Sequence, residues 1–242
     1  MPVLPGTRLG ELYLIPNLLG ESAPVEASLP PLIAAVISKL THFVVEDEKS
    51  ARRFIKQLCP DKVIRELSIS SLNEHTKNDA LAALAAPLHA GHDIGIISEA
   101  GCPGIADPGA PLVKIAHDMG VKVHPLVGPC SMMLALMASG FNGQRWRFVG
   151  YLPLEGGARK EAILSMEREL RAHNETQIVM DTPYRNQKLF EELLAICQPE
   201  TKLCVAANIT CADESIQVKT VKAWRTDKPM LPKCPALFLL GA

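Results

Sequence analysis

The 242-residue chain is 48% hydrophobic but only 5% aromatic, and its 25 Lys and Arg nearly balance 26 Asp and Glu for a formal charge of -1. That composition excludes a disordered chain and disfavours an all-β architecture, because Leu, Ile, Val, Ala and Met must fill the core, as in layers of helix on sheet. A charge so close to zero gives no global pull toward nucleic acid, although a local basic strip is compatible with it.

In chain order, ELYLIP (11–16) is a short β-rich run ended by Pro16. Residues 28–40 then predict a helix capped by Ser28, with Leu29, Leu32, Ile33, Val36, Ile37 and Leu40 on one stripe. HFVVE (42–46) reads as a buried strand and 50–58 as a helix capped by Ser50. KVIRELSI (62–69) alternates as a strand does. In 78–91, Leu81, Leu84 and Leu88 have helical spacing, with Pro87 expected to kink the helix. DIGIISE (93–99) is the most apolar strand of this half. It leads into a Gly/Pro-rich loop, a helix with Leu112, Ile115, Ala116 and Met119 on one face, a stop at Gly120, and a strand at 121–126.

Strands alternating with helices predict a mostly parallel sheet covered on both faces, so residues 1–126 form an N-terminal α/β lobe. The second lobe, 127–242, continues with helix 131–140, strand RFVGYL, helix 159–170, strand QIVMDT, helix NQKLFEELLAIC and strand KLCVAANI. ESIQVKTVKAW (214–224) and the closing ALFLLGA read as further strands with no strong helix between them, which predicts a mixed sheet.

Glycine and proline gather in three loops that follow strands: PNLLGES, SEAGCPGIADPG and LVGPCSM. Ligands of open α/β sheets sit at the carboxyl ends of strands, where glycine lets a ligand approach the main chain and proline stiffens the turn. Any one such loop is an ordinary connector, whereas three in these positions predict a wall for an extended small molecule. The chain carries no phosphate-loop sequence, no G-x-G-x-x-G after its first strand and no G-x-S-x-G, which weakens ATPase, dehydrogenase and hydrolase readings.

The seven cysteines are scattered without a C-x-x-C pair, and no signal peptide is apparent, so reduced thiols in the cytoplasm are expected. His89 and His92 lack further ligands at zinc spacing, so no metal is expected. No apolar run approaches the roughly 20 residues a membrane span needs.

The blocks LYLIPNLLGES, VVEDEKS, ISEAGCPGIADPG, HPLVGPCSMMLALMASG, FVGYLP, DTPYR and ALFLLG resemble, in sequence and order, the tetrapyrrole methylase family of S-adenosylmethionine-dependent methyltransferases. The similarity is greatest to a branch that 2'-O-methylates a cytidine of small-subunit ribosomal RNA. Ser98, Ala100, Gly101, Pro103, Ile105, Asp107, Pro108 and Gly109 match that branch's S-D-A-G-T-P-x-I-x-D-P-G, with Glu99 and Cys102 substituted. Pro125, Leu126, Gly128, Pro129 and Cys130 match P-L-P-G-P-[CS], and Asp181, Thr182 and Arg185 are looser counterparts of E-[ST]-x-x-R. Two blocks depart: the first loop retains Pro16 and Gly20 of P-T-P-I-G-N-L, and residues 206–211 replace A-R-E-L-T-K.

The resemblance implies a class III methyltransferase fold of two α/β lobes, with S-adenosylmethionine in the cleft between them, and a homodimer. It places the cofactor on Glu99, Ala100, Gly101, Ile105 and Ala106 and on Pro129, Cys130 and Ser131, with Asp181, Thr182, Tyr184, Ala206 and Pro235 as further contacts in the second lobe.

Transfer to a hydroxyl needs a base, and the candidates at strand ends are Glu46, Asp47, Glu99, Asp107 and Asp181. Glu46 and Asp47 read equally as a solvated strand end or a helix cap, and Asp107 as the holder of an Asx turn. Arg145, Arg147, Arg159, Lys160, Arg185 and Lys188 form either a face for RNA phosphates or a solvated helix surface balanced by glutamates. Two alternatives stand beside the RNA methyltransferase: a methyltransferase for a tetrapyrrole or other small acceptor, and a non-catalytic cofactor-binding relative.

Overall fold

The computed structural model describes residues 8–73, 76 and 78–242; residues 1–7 of the expected first lobe lie outside the described residues. The chain divides into two compact units. One runs to Leu18 and resumes over Ala23–Pro129, and the other comprises Leu19–Ser22 and Cys130–Ala242.

The first unit is built on strands β1 (Leu12–Ile15), β2 (His42–Val45), β3 (Ser68–Ser71), β4 (Ile94–Ile97) and β5 (Val123–Pro125). Their order is β3-β2-β4-β1-β5 and every pairing is parallel. Parallel strands need crossovers, which α2 (Leu32–Lys39), α3 (Glu48–Leu58), α4 (Asn78–His89) and α5 (Ala110–Asp118) provide, with a single turn, α1 (Val25–Ser28), before them. β4 is central and buried at all four residues, as its unbroken apolar run requires. Leu12, Val44, Ile94 and Ile96 pack on one face against Leu81, Ala85 and Leu88 of α4 and Leu112 and Ala116 of α5. Each fully buried aliphatic side chain there contributes roughly 1.5–3 kcal/mol.

The second unit holds β6 (Trp146–Tyr151), β7 (Thr176–Met180), β8 (Lys202–Ala207), β9 (Ser215–Thr220) and β10 (Ala236–Gly241) in the order β6-β7-β10-β8-β9. β6 and β7 are parallel while β10 runs antiparallel to both its neighbours, which makes the sheet mixed. α6 (Ser131–Ser139) covers one face through Met132, Ala135 and Leu136. α7 (Gly156–His173), α8 (Asn186–Ile196) and α9 (Val221–Thr226) cover the other, where Phe190, Trp224 and Phe238 make the aromatic centre.

Four boundaries differ from the sequence expectation. Ser28 ends α1 instead of capping 28–40, because Pro30 keeps Leu29 extended (φ -124, ψ 129) and the helix restarts at Leu32. Leu32 is consequently 58% exposed, off the apolar stripe. The cap of α3 is Asp47, whose carboxylate accepts from the Ser50 amide at 2.8 Å. Residues 62–67 are not strand: Ile64–Glu66 forms a 3-10 turn, since β2 offers partners only from His42, opposite Ser68. The stretch 214–224 breaks at Thr220, whose side chain caps α9 through the Ala223 amide and lets Trp224 turn inward to donate to the Leu203 carbonyl.

Candidate cofactor and active site

In the first unit, β1 and β4 end in register, Ile15 opposite Ile97, so the loops that follow them start side by side. They are stitched together at once. The Asn17 amide and carbonyl exchange hydrogen bonds with Gly101 at 2.9 and 3.2 Å, and Asn17 Nδ2 donates to the carbonyls of Ser98 and Glu99. Ser98 Oγ donates to the Gly101 carbonyl at 2.7 Å. Asp107 Oδ1 accepts from the amides of Gly104 and Gly109, at 2.9 and 2.7 Å, and so holds the far end of the loop. Asp107 thereby behaves as the Asx residue of its turn.

This bracing fixes a backbone with unusual torsions. Gly101 sits at φ 68, and even the non-glycine Ala106 is held at φ 54. The third loop joins through the Cys102 thiol, 3.4 Å from the Pro129 carbonyl, and through Gly128, where an added Cβ would lie 2.2 Å from the Pro16 ring. Glu99, Ala100, Ile105 and Ala106 remain exposed on this frame, Gly101 and Pro129 are buried in it, and Cys130 and Ser131 begin α6 of the second unit.

The carboxylates divide by environment. Asp47 is tied up as the cap of α3, and the Ser50 amide is the chief cause of its lowered pKa. Glu46 is exposed beside it after β2. Glu99 stands at the end of the central strand, its Oε1 accepting from Ser50 Oγ at 2.5 Å.

In the second unit Asp181 follows β7 and is buried. It takes Arg159 Nη2 at 3.0 Å, Arg185 Nε at 2.7 Å and the Thr182 amide at 2.8 Å. Burial alone pushes its carboxyl up, but the Thr182 amide, Arg185 and Arg159 together outweigh burial and hold it below the ordinary aspartate range. Asp181 is therefore a structural anion and not a base in waiting. Arg159, read from sequence as a surface cation, is 2% exposed and also pairs with Glu192, which removes it from any phosphate-binding face. Arg145 pairs with Glu175, whereas Arg147, Lys160 and Lys188 are exposed.

Anchored by this cluster, Thr182 presents a buried hydroxyl with no hydrogen-bond partner, and Tyr184 is 69% exposed with the Arg185 guanidinium 5.2 Å from its ring centre. Ala206 is fully buried within β8, paired to Leu237 and Ile216, and the exposed Pro235 closes the strand end by accepting the Asn208 amide at 3.0 Å.

The sequence reading missed what Asn17 and Ser50 do. Asn17 follows a strand-ending proline, which is a turn signal, and Ser50 lies three residues after a capping aspartate; neither pattern announces a contact with residues 98–101.

The fold is that of known methyltransferases. The methyltransferase CobJ superposes with a TM-score of 0.62 at 16% identity, covering 96% of this chain and 95% of its own. Uroporphyrin-III C-methyl transferase from Thermus thermophilus, solved with S-adenosyl homocysteine, gives 0.57 at 17% identity, covering 96% and 97%. In sequence, the ribosomal RNA small subunit methyltransferase I of Vibrio cholerae serotype O1 is 30% identical over 210 residues, 85% of this chain and 67% of that protein. The protein of that name from Escherichia coli O157:H7 is 27% identical over 218 residues, 89% and 72%. The family model for tetrapyrrole (corrin/porphyrin) methylases matches residues 29–224, and the chain belongs to this family of S-adenosylmethionine-dependent methyltransferases.

Each unit has features that fit that cofactor. In the first, the 98–109 loop is braced by Asn17, Ser98 and Asp107 and exposes the small residues Ala100 and Ala106; in the second, the buried Thr182 hydroxyl lacks a partner that a polar ligand would supply.

Proposed function

We propose that the chain methylates the 2'-hydroxyl of a ribose in small-subunit ribosomal RNA. The observation that carries this reading is the 30% identity, over 85% of the chain, to a relative named for small-subunit ribosomal RNA; the 2'-hydroxyl is what the sequence resemblance implies. The residues proposed to hold the cofactor are the main chain of Glu99 with Ala100, Gly101, Ile105 and Ala106, and Pro129, Cys130 and Ser131, joined by Thr182, Tyr184, the end of β8 beyond Ala206, and Pro235. When bound, S-adenosylmethionine supplies an electrophilic methyl group and keeps the electron pair of the broken carbon–sulfur bond as a thioether.

The chain must then align the hydroxyl and take its proton as the oxygen lone pair forms the new carbon–oxygen bond. Glu99 is the base we assign: Asp107 and Asp47 are occupied by backbone amides, Asp181 by two arginines, and of the remaining Glu46 and Glu99 only Glu99 stands on the braced 98–109 loop. Arg147, Lys160 and Lys188 are the cations proposed to meet RNA phosphates. The protein is further proposed to act as a cytoplasmic homodimer, in keeping with the family resemblance; among the described residues no helix is long and apolar enough to cross a membrane.

The test begins with calorimetric titration of S-adenosylmethionine and S-adenosylhomocysteine into the protein and into Gly101→Arg, which should abolish binding. Transfer of a labelled methyl group to small ribosomal subunits should then yield 2'-O-methylcytidine on nucleoside analysis. Cofactor binding with transfer to a porphyrinoid instead of RNA would replace this acceptor with a tetrapyrrole.

A further inference from the structure

The geometry points to Ser50 as a positioning residue that holds the Glu99 carboxylate in place for proton removal. Ser50 lies in the first turn of α3, after β2, and Glu99 follows β4, the strand paired with β2. The two are 49 residues apart in sequence and brought together by the parallel register, with Val45 opposite Ile97.

The hydroxyl has one proton and three acceptors around it: Glu99 Oε1 at 2.5 Å, Asp47 Oδ1 at 3.1 Å and the Asp47 carbonyl at 3.2 Å. Glu99 Oε1 is the nearest of the three, at the short separation typical of a hydroxyl donating to a carboxylate, so the hydroxyl proton is assigned to it. Asp47 thus fixes the serine backbone and the serine fixes Glu99 Oε1, which leaves Oε2 as the oxygen available to a substrate proton.

The glutamate is suited to this arrangement. The branch the sequence resembles carries aspartate at this position, one methylene shorter than the Glu99 that meets Ser50 here. The contact is solvent-facing, so it contributes little to stability; its value is in orienting an otherwise mobile side chain.

This inference rests on Glu99 being the base, and the test separates the two claims. Ser50→Ala and Ser50→Thr are assayed on small ribosomal subunits beside the wild-type protein and Glu99→Gln. Ser50→Ala retains the Asp47 cap through its amide, and a melting temperature within a few degrees of wild type verifies its fold. The expected result is a kcat lowered by about 10- to 100-fold with KM for the subunit and S-adenosylhomocysteine affinity changed by less than about two-fold. Ser50→Thr, which restores a hydroxyl, should recover most of the rate.

A kcat for Ser50→Ala close to wild type, or a Ser50→Thr no faster than Ser50→Ala, overturns the positioning role while leaving the methyltransferase reading intact. Full activity in Glu99→Gln overturns the choice of base. Should wild-type protein not methylate the subunit, crystal structures of wild type and Ser50→Ala without ligand still decide. The role requires one ordered Glu99 conformer on Ser50 in the former and a displaced or spread carboxylate in the latter, and an identical Glu99 in both overturns it.

Discussion

Arg159 and Asp181 form a buried ion pair, Nη2 to Oδ2 at 3.0 Å with each side chain 3% exposed, that joins α7 to the end of β7. Arg159 Nη1 also donates to the Pro153 carbonyl and its Nε to Glu192, so one guanidinium satisfies three separate segments. Replacing it with methionine leaves Asp181 to Arg185 and the Thr182 amide alone. Because this leaves Asp181 Oδ2 without its buried partner and the Pro153 carbonyl without its donor, Arg159→Met should lose on the order of 3 kcal/mol in urea unfolding at neutral pH.

Asp181 gives that cluster a pH signature. Its folded pKa lies below the unfolded value, so its stabilisation is complete above the ordinary aspartate pKa and is lost as pH falls below about 4, through the folded value. Asp181→Asn should therefore be less stable than wild type at pH 7 and approach it as the solution is acidified. Parallel unfolding curves at pH 7 and pH 3 measure the convergence.

Gly128 is required by contact, not by backbone torsion. A Cβ there would fall 2.2 and 2.3 Å from Cγ and Cβ of Pro16, a rigid ring that cannot swing aside. Gly128→Ala should push the 126–129 loop off the end of β1, at a cost of about 1–3 kcal/mol. A weakened response to S-adenosylhomocysteine in calorimetry should accompany the loss measured by thermal unfolding.

Much of this architecture was legible because local signals and tertiary needs agreed. The all-buried β4 and the Gly120 stop after α5 follow directly from apolar runs and a left-handed glycine. Reading failed where a partner far away decides: residues 62–67 alternate like a strand but have nothing on β2 to pair with, and Trp224 ends in a helix because Leu203 offers it a carbonyl. At the site, glycine and proline marked the loop over residues 98–109, whereas the roles of charged residues were hidden. Arg159 and Lys160 are adjacent and alike in sequence, yet the turn of α7 buries one and exposes the other.

The cysteines should sort by burial. Burial pushes the thiols of Cys197 and Cys204 up to about 12, while Cys59, Cys102, Cys130, Cys211 and Cys234 are half-buried, and none of the seven is in a disulfide. Iodoacetamide at pH 8 should label members of the second group in native protein and reach Cys197 and Cys204 only after unfolding. Peptide mass spectrometry before and after denaturation reads the difference.

The Thr182 hydroxyl separates folding from ligand binding. It is buried without a partner, so it already carries a desolvation cost in the free protein, and Thr182→Val, of nearly the same shape, removes that cost. The variant should be as stable as wild type or more stable by up to about 1 kcal/mol. If the hydroxyl completes its hydrogen bond on the cofactor, the same change should weaken S-adenosylhomocysteine binding by about ten-fold, since one hydrogen bond of about 1.4 kcal/mol is lost. Thermal unfolding without ligand and calorimetry with it test the two halves independently. Undiminished stability with weakened affinity assigns Thr182 to the cofactor, whereas loss of stability with unchanged affinity assigns the hydroxyl to an internal bridge.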